Sequence, residues 1–199
     1  MHKGRLEAFS DGVFAIIITI MVLELKVPHE ASLGAILELL PVFLSYVLSF
    51  INVGIYWNNH HHLLQVTKTV NASIMWANLH LLFWLSLIPF TTGWMGENNF
   101  ASLPTSVYGL VLIMAAIAYV ILQNLILKLH GSGSALAQAI GADSKGKLSV
   151  AVYLVAVVVA NWLPWLAGLM YLFNALIWFI PDRRLEKALE AQNQGSLQK

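Results

Sequence analysis

A carboxylate lies inside the first long apolar stretch of the chain, where burial of a charge is energetically unfavourable. Asp11 follows Arg5 by six residues, which is about 9 Å along a helix. Within a lipid bilayer a charged side chain at such a depth costs at least a few kcal/mol unless it is paired or hydrated. Asp11 is therefore expected to face protein or water, either as a hydrogen-bond acceptor or as a site for a proton or a cation.

Hydrogen-bond donors that could satisfy Asp11 occur at the end of the second apolar stretch and at the start of the third. The candidates are Trp57, Asn58, His61, Asn78 and His80. One interpretation is a structural polar cluster that pins the first three helices together, since interhelical hydrogen bonds stabilise membrane bundles. A relay that carries protons or cations through Asp11 is the alternative, and the sequence leaves both open.

The run of three histidines, residues 60–62, does not have the spacing of a metal site. Consecutive residues on a helix point about 100° apart, so the three rings cannot chelate one ion together. The chain contains no cysteine, which excludes thiolate ligands and cysteine nucleophiles. It also lacks the H-E-x-x-H and G-x-S-x-G patterns. We therefore expect no metal, no cofactor and no enzymatic activity.

An apolar stripe follows Asp11 along the same stretch. Ile16, Ile20 and Leu23 share one helix face at positions i, i+4 and i+7, with Gly12 one turn before them. Packing against neighbouring helices is one explanation. If several copies of this helix surrounded an axis, the same side chains would form apolar rings that gate ions by dewetting. Periodicity alone does not choose between the two.

The amino-acid composition indicates whether water or lipid surrounds these apolar stretches. The chain has 199 residues, of which 58% are apolar and 11% charged, whereas soluble domains carry about 25% charged residues. Its mean hydropathy is +0.71. So few charges cannot cover a water-soluble fold, and lipid is the expected solvent. The net charge is only +1, and the sequence contains no basic stripe. Nucleic acid is therefore not expected as a partner.

Six membrane-spanning helices are predicted, and the fold class is all-α. A span needs roughly 20 apolar residues, and the last apolar run, 148–180, is too long for one span. We divide it at Pro164, which removes a backbone donor, with a single kinked helix as the alternative. The six predicted spans are 8–25, 33–57, 72–94, 107–127, 148–161 and 165–180.

Loop charges predict the orientation of these spans. With six spans, ten basic residues share one side with both termini, and only Lys26 lies opposite. Positive charges favour the cytosol, so both termini are expected there. The predicted organisation is one six-helix transmembrane domain over 1–181, with the first helix at its centre, and a polar cytosolic tail over 182–199.

Residues 5–11, Arg-Leu-Glu-Ala-Phe-Ser-Asp, match the R-x-x-x-F-S-D signature of the transmembrane protein 175 family. That family comprises the endolysosomal potassium channel and its prokaryotic relatives. The resemblance continues through residues 12–16 and 22–28, then recurs in residues 56–61 and 87–90. It also extends to the predicted six-span layout.

The resemblance implies a potassium-preferring cation channel whose first helix lines the pore. Because the animal channel carries two six-helix repeats and this chain has room for one, it implies a homotetramer. Ile16 corresponds to the pore constriction, with Ile20 and Leu23 on the same face, and Thr19 to a pore-adjacent hydroxyl. A back-bond from Thr19 to the Ala15 carbonyl is an alternative. The signature residues implied to contact the second and third helices are Arg5, Phe9, Ser10 and Asp11.

No T-V-G-Y-G segment or other filter loop occurs between the predicted spans, so selectivity by rings of carbonyl groups is not expected. A narrow apolar ring would instead favour potassium, which loses its hydration water more readily than sodium. The expected partners are the lipid bilayer, alkali cations and three further copies of the chain, and the expected location is a prokaryotic plasma membrane. A proton-coupled transporter that uses Asp11 and a non-conducting membrane assembly protein remain the alternatives.

Overall fold

The computed structural model describes residues 3–65, 67–130 and 144–179, and all regular structure in these ranges is helical. The helices are α1 (Lys3–Leu23), α2 (Leu33–Glu38), α3 (Leu40–Gln65), α4 (Ala72–Ser86), α5 (Ile88–Glu97), α6 (Ser102–His130), α7 (Ser144–Val159) and α8 (Pro164–Phe179). Four stretches are long and apolar enough to cross a membrane, namely α1, α3, α4 with α5, and α6. An apolar stretch within α8, Pro164–Trp178, is shorter. The predicted tail, 182–199, lies outside the described residues.

The second predicted span is two helices in the structure. The short helix α2 is capped by Ser32, whose hydroxyl accepts a hydrogen bond from the Ala35 amide at 3.2 Å. The helix ends at Glu38, and α3 begins at Leu40, one residue before Pro41. Proline fits the first turn of a helix because amides there have no intrahelical acceptor. The predicted end at residue 57 was also too early, because α3 continues to Gln65.

The third predicted span is interrupted at Leu87, between α4 and α5. Asn71 caps the start of α4, and its side chain accepts a hydrogen bond from the Ile74 amide at 2.9 Å. Pro89 lies in the first turn of α5, where its missing amide proton is tolerated. The break was not predicted, because the surrounding apolar run is continuous in the sequence. It is a mild break, since Leu87 keeps a right-handed helical backbone conformation.

The last apolar run divides where the sequence predicts. Helix α7 ends at Val159, and α8 begins at Pro164. The intervening turn is closed by backbone hydrogen bonds that include Leu163 N to Val159 O at 2.9 Å. The alternative of one kinked helix is therefore wrong.

Helix α6 has the central position within the chain. It packs against α4, α5, α7 and α8, whereas the main contacts of α1 in the described part of the chain are with α3, α4 and α5. The expectation that the first helix is central therefore fails within a single chain, where α1 lies at the edge with one face exposed. Apolar residues all round a helix do not tell which of its faces its own chain covers.

Two glycines allow helices to approach each other closely. A Cβ atom on Gly96 of α5 would lie 2.7 Å from the Val42 Cα of α3. A Cβ atom on Gly109 of α6 would lie 2.6 Å from the Val157 Cγ2 of α7 and would also meet the Tyr171 hydroxyl. Both contacts are too short for any larger residue, so these glycines fix the spacing of the helices.

A buried polar network joins four of the helices. The Ser49 hydroxyl lies 2.6 Å from that of Thr92 and donates to the Tyr108 hydroxyl at 3.1 Å. The Asn52 amide group donates to the same tyrosine at 3.5 Å and accepts from the Tyr153 hydroxyl at 3.4 Å. The network connects α3, α5, α6 and α7, and it satisfies polar groups that would otherwise be costly to bury.

Candidate functional site

The two faces of α1 differ in what covers them. One face packs into the bundle through Leu6, Ser10, Phe14, Ile17 and Met21. On the other face, the exposed fractions are 57% for Ile16, 43% for Ile20 and 79% for Leu23. The exposed side chains form the stripe that the sequence predicts, and its large apolar area has no partner within the described part of the chain.

A chain of hydrogen bonds anchors the buried face of α1 to α4 and α3. The Ser10 hydroxyl donates to the Leu6 carbonyl at 2.8 Å and accepts from Asn78 Nδ2 at 2.9 Å. The other end of the same amide, Asn78 Oδ1, lies 2.7 Å from His60 Nε2. Since an amide oxygen can only accept, His60 carries a proton on Nε2. All three side chains are buried, where water cannot reach them. The hydrogen bonds within the chain therefore take the place of hydrogen bonds to water.

Asp11 finds its partner on α3. Its carboxylate accepts a hydrogen bond from Trp57 Nε1 at 3.0 Å. One turn earlier, Glu7 Oε1 lies 3.3 Å from His61 Nδ1, and the His61 ring stacks on that of Trp57. These pairs lie at the edge of the bundle, because Asp11 and His61 are only partly buried. Asp11 therefore faces protein, as expected, with a hydrogen-bond donor in place.

The predicted cluster is thus assembled in part. Ser10, Asp11, Trp57 and Asn78 come together as predicted, and His61 joins through Glu7. Asn58 is exposed and, within the described residues, makes no hydrogen bond to α1.

His80 does not reach the cluster. It accepts a hydrogen bond from Trp84 Nε1 at 2.9 Å on its own helix. The reason is helical phase, since His80 lies about 200° around the helix from Asn78. Because Asn78 faces α1, His80 must face away from it.

Arg5 and Phe9 also lie outside the cluster. Both are exposed, Phe9 to 52%, and both share the face of Ile16 and Leu23. Phe9 points about 100° away from Ser10, its neighbour in the signature. The signature residues therefore divide between the two faces of α1.

His60 and Glu7 are the cluster members that sequence reasoning missed. A signal for His60 was present, because it lies seven residues after Val53 and four before Leu64, and all three are buried. That spacing places His60 on the apolar, inward face of α3. Which of three consecutive histidines faces inward can therefore be predicted from the apolar residues around them.

Thr19 lies beside the stripe with its side chain exposed. Its hydroxyl donates to the Ile16 carbonyl at 2.9 Å, and not to the Ala15 carbonyl that was the alternative. The proton is thereby used within the helix, while the oxygen keeps lone pairs that face outward. Thr19 can consequently offer an acceptor next to Ile16 but not a donor.

Charged groups surround the end of α1 that is opposite to the cluster. Lys26 forms an ion pair with Glu97 at the end of α5. Hydrogen bonding and the charge of Glu97 raise the pKa of Lys26, so its ammonium group stays protonated. The Glu24 carboxylate lies against Gly93. In the described ranges, no group of three or more His, Asp or Glu side chains is placed to hold a metal ion.

Comparisons with known proteins find similarity over nearly the whole chain. The sequence model of the family described as endosomal/lysosomal potassium channel TMEM175 matches residues 5–89. A protein named as a potassium channel from Chryseobacterium sp. (strain P1-3) is 56% identical over 190 residues, which cover 96% of this chain and 99% of the relative. The human protein named as endosomal/lysosomal proton channel TMEM175 is 38% identical over 96 residues, which cover 42% of this chain and 19% of that protein.

A solved structure is also similar. It is the crystal structure of a lysosomal potassium-selective channel TMEM175 homolog from Chamaesiphon minutus. The TM-score is 0.78 with 28% sequence identity, and the alignment covers 90% of this chain and 97% of the other.

Proposed function

The chain belongs to the TMEM175 family, and we propose that it is a channel that conducts potassium passively across a membrane. The similar protein from Chryseobacterium, which it matches from end to end, is named as a potassium channel. The solved relative is titled as a potassium-selective channel. Since both are channels, conduction and not catalysis is the proposed activity, with K⁺ as the permeant ion and no cofactor.

The observation that carries the proposal is the exposed stripe of α1. Ile16, Ile20 and Leu23 expose branched apolar side chains on one face, while the opposite face is anchored by hydrogen bonds. One helix cannot enclose a pore. Four copies of the chain, arranged around an axis with α1 innermost, would stack these side chains into rings that form a hydrophobic constriction. The functional unit is therefore a homotetramer.

The membrane topology is proposed from the helices and the charges together. Helices α7 and α8, joined by the turn before Pro164, add two short crossings to the four longer ones. With six crossings, ten of the eleven lysine and arginine residues lie on the side of the termini. That side is then the cytosol, and the membrane is the plasma membrane of a prokaryote.

Selectivity would come from dehydration at the narrow apolar rings. A potassium ion gives up part of its hydration shell at lower cost than a sodium ion, so the barrier at Ile16 is lower for potassium. The Thr19 oxygen lies near that position and is exposed, so it could replace part of the lost water. Such a mechanism predicts weak discrimination and permeation by larger alkali cations.

The test is ion flux in liposomes that contain the purified protein. Channel activity predicts passive potassium flux that exceeds sodium flux and needs no proton gradient. Flux that requires a proton gradient would favour a transporter that uses Asp11, and the absence of flux would favour an assembly protein.

A substitution in the stripe tests the position of the pore. Ile16→Asn places a polar group in the proposed constriction, so we expect about a tenfold rise in potassium flux and a weaker preference over sodium. The control is Ile117→Asn, the same change at a half-exposed position of α6, for which we expect unchanged flux. Equal effects of the two substitutions would remove Ile16 from the pore.

A further inference from the structure

The apolar stripe of α1 continues beyond Gly12 towards the start of the helix. Phe9 precedes Ile16 by seven residues and Arg5 precedes Phe9 by four, so both share the face of the proposed constriction. Phe9 is 52% exposed, and Arg5 is also exposed. Along the helix, Phe9 lies about 10 Å and Arg5 about 16 Å from Ile16.

The other charged side chains of this helical segment are held away from that face. Lys3 donates a hydrogen bond to the Gln65 carbonyl at 2.8 Å. Glu7 pairs with His61, and Asp11 accepts from Trp57. Within the described residues, Arg5 has neither an ion pair nor a hydrogen bond through its side chain. Its charge is therefore not neutralised by the carboxylates of the described ranges.

Building on the tetrameric pore described above, we propose that Phe9 and Arg5 line its cytosolic end. Four Phe9 rings form a second apolar constriction below Ile16. Four Arg5 guanidinium groups form a positive ring at the entrance, which potassium must pass. Arg5 thus limits cation entry from the cytosol, and the pore has two functional positions besides the constriction at Ile16.

Electrostatics predicts how such a ring behaves. Four positive charges around an aqueous entrance lower the local concentration of cations, because field lines are focused between walls of low dielectric constant. Salt screens the effect, since the Debye length falls from about 30 Å at 0.01 M to about 3 Å at 1 M ionic strength. A charge that acts on permeating ions must therefore matter more at low salt.

The first experiment compares Arg5→Gln with Lys3→Gln in the liposome flux assay. Both variants remove one positive charge from the same helix end, but Lys3 is tied to Gln65 away from the stripe. For Arg5→Gln we expect about a threefold to tenfold rise in potassium flux at low salt, which disappears at 1 M. Lys3→Gln should leave flux unchanged, and Arg5→Lys should restore the original flux.

Accessibility provides the second measurement. Because the chain has no cysteine, Arg5→Cys and Phe9→Cys each provide a single thiol. A positively charged thiol reagent applied from the cytosolic side should reduce potassium flux through both variants by at least about half, since it adds bulk and positive charge within the pathway. The same reagent on Asn58→Cys, an exposed position of α3, should change nothing.

The outcomes separate this proposal from the proposed function. If Ile16→Asn raises flux but Arg5→Gln behaves like Lys3→Gln at every salt concentration, the pore stands and the Arg5 ring is wrong. A lower tetramer yield for Arg5→Gln, without a salt-dependent change in flux, would assign Arg5 to a subunit contact and overturn the ring. If Ile16→Asn has no effect either, the pore itself fails.

Discussion

The exposed face of α1 and the seam between α3 and α5 are opposite kinds of surface. At the seam, Gly96 lies so close to Val42 that no side chain fits. On α1, a Cβ atom added to Gly4 or Gly12 would meet nothing within 4 Å. The same residue type therefore marks backbone contact in one region and open space in the other. The seam is complete within one chain, whereas the face of α1 needs something else to cover it.

The two surfaces are therefore expected to respond differently to substitution, the seam through protein stability and the exposed face of α1 through ion flux. Substitutions at the seam or in the buried hydrogen-bond chain should lower the stability of the folded protein, because added volume and orphaned polar groups are both costly in a dense interior. Substitutions on the stripe of α1 should leave the folded chain intact and change ion flux. Substitutions at Gly96, Asn78 and Thr19 test that division, and the expected loss of stability falls in this order.

The largest effect is expected for Gly96→Ala. The added methyl group would lie 2.7 Å from the Val42 Cα and would meet the Ser45 hydroxyl. Since a Cα atom cannot rotate away, α3 and α5 must separate, and overpacking of this kind costs about 1–3 kcal/mol or more. The measurement is the midpoint of thermal unfolding in detergent, which should fall by several degrees.

The matched control is Gly54→Ala on α3, where a Cβ atom meets nothing within 4 Å. Alanine is a better helix former than glycine by roughly 0.5–1 kcal/mol, so this variant should be equally or more stable. If both variants were equally stable, the close approach of α3 and α5 would not exist.

A smaller effect is expected for Asn78→Leu, which removes the bridge between α1 and α3. The change leaves the Ser10 hydroxyl without its donor and His60 Nε2 without its acceptor, and both groups are buried. An orphaned buried polar group costs about 1–3 kcal/mol. The unfolding midpoint should therefore drop, by less than for Gly96→Ala, because the side chains of Ser10 and His60 can adjust whereas the Val42 Cα cannot.

Asn58→Leu is the control for this change, since Asn58 is exposed on α3. A surface substitution of this kind is expected to change stability by less than about 0.5 kcal/mol. An Asn78→Leu variant as stable as Asn58→Leu would show that the hydrogen-bond chain does not hold α1 in place.

Hydropathy predicted most of the helices but not their internal breaks. The turn before Pro164 was predictable because a 33-residue run is too long for one span. The breaks at Leu39 and Leu87 were missed, because each falls inside an apolar run of ordinary length that did not have to be divided. Pro41 and Pro89, two residues after each break, were the available signal. The position of α1 at the edge of the bundle was also beyond reach, because every one of its faces is apolar.

The polar cluster around Asp11 was predictable in part, because hydrogen-bond partners must lie at the same depth in the membrane as Asp11. Asp11 needed a donor, and the donors at its level included Trp57 and Asn78, which do bond to α1. Helical phase would have improved the prediction, since residues two apart, such as Asn78 and His80, cannot face the same neighbour. It would also have placed Arg5 with Ile16 and not with Ser10.

The smallest effect on stability is expected for Thr19→Val, on the stripe itself. The hydroxyl bonds only to the Ile16 carbonyl of its own helix. Removing it therefore leaves no buried polar group without a hydrogen-bond partner. Thr91→Val on α5 is the control. The Thr91 hydroxyl likewise bonds only to backbone carbonyls, those of Leu87 and Ile88, but it is buried away from the stripe. Both variants should unfold within a degree or two of the original chain. They should differ in the potassium-to-sodium flux ratio, which should fall by about twofold for Thr19→Val, equivalent to about 0.4 kcal/mol, and stay constant for Thr91→Val. An unchanged ratio for both would mean that the Thr19 oxygen does not replace hydration water, and selectivity would then depend on the apolar rings alone.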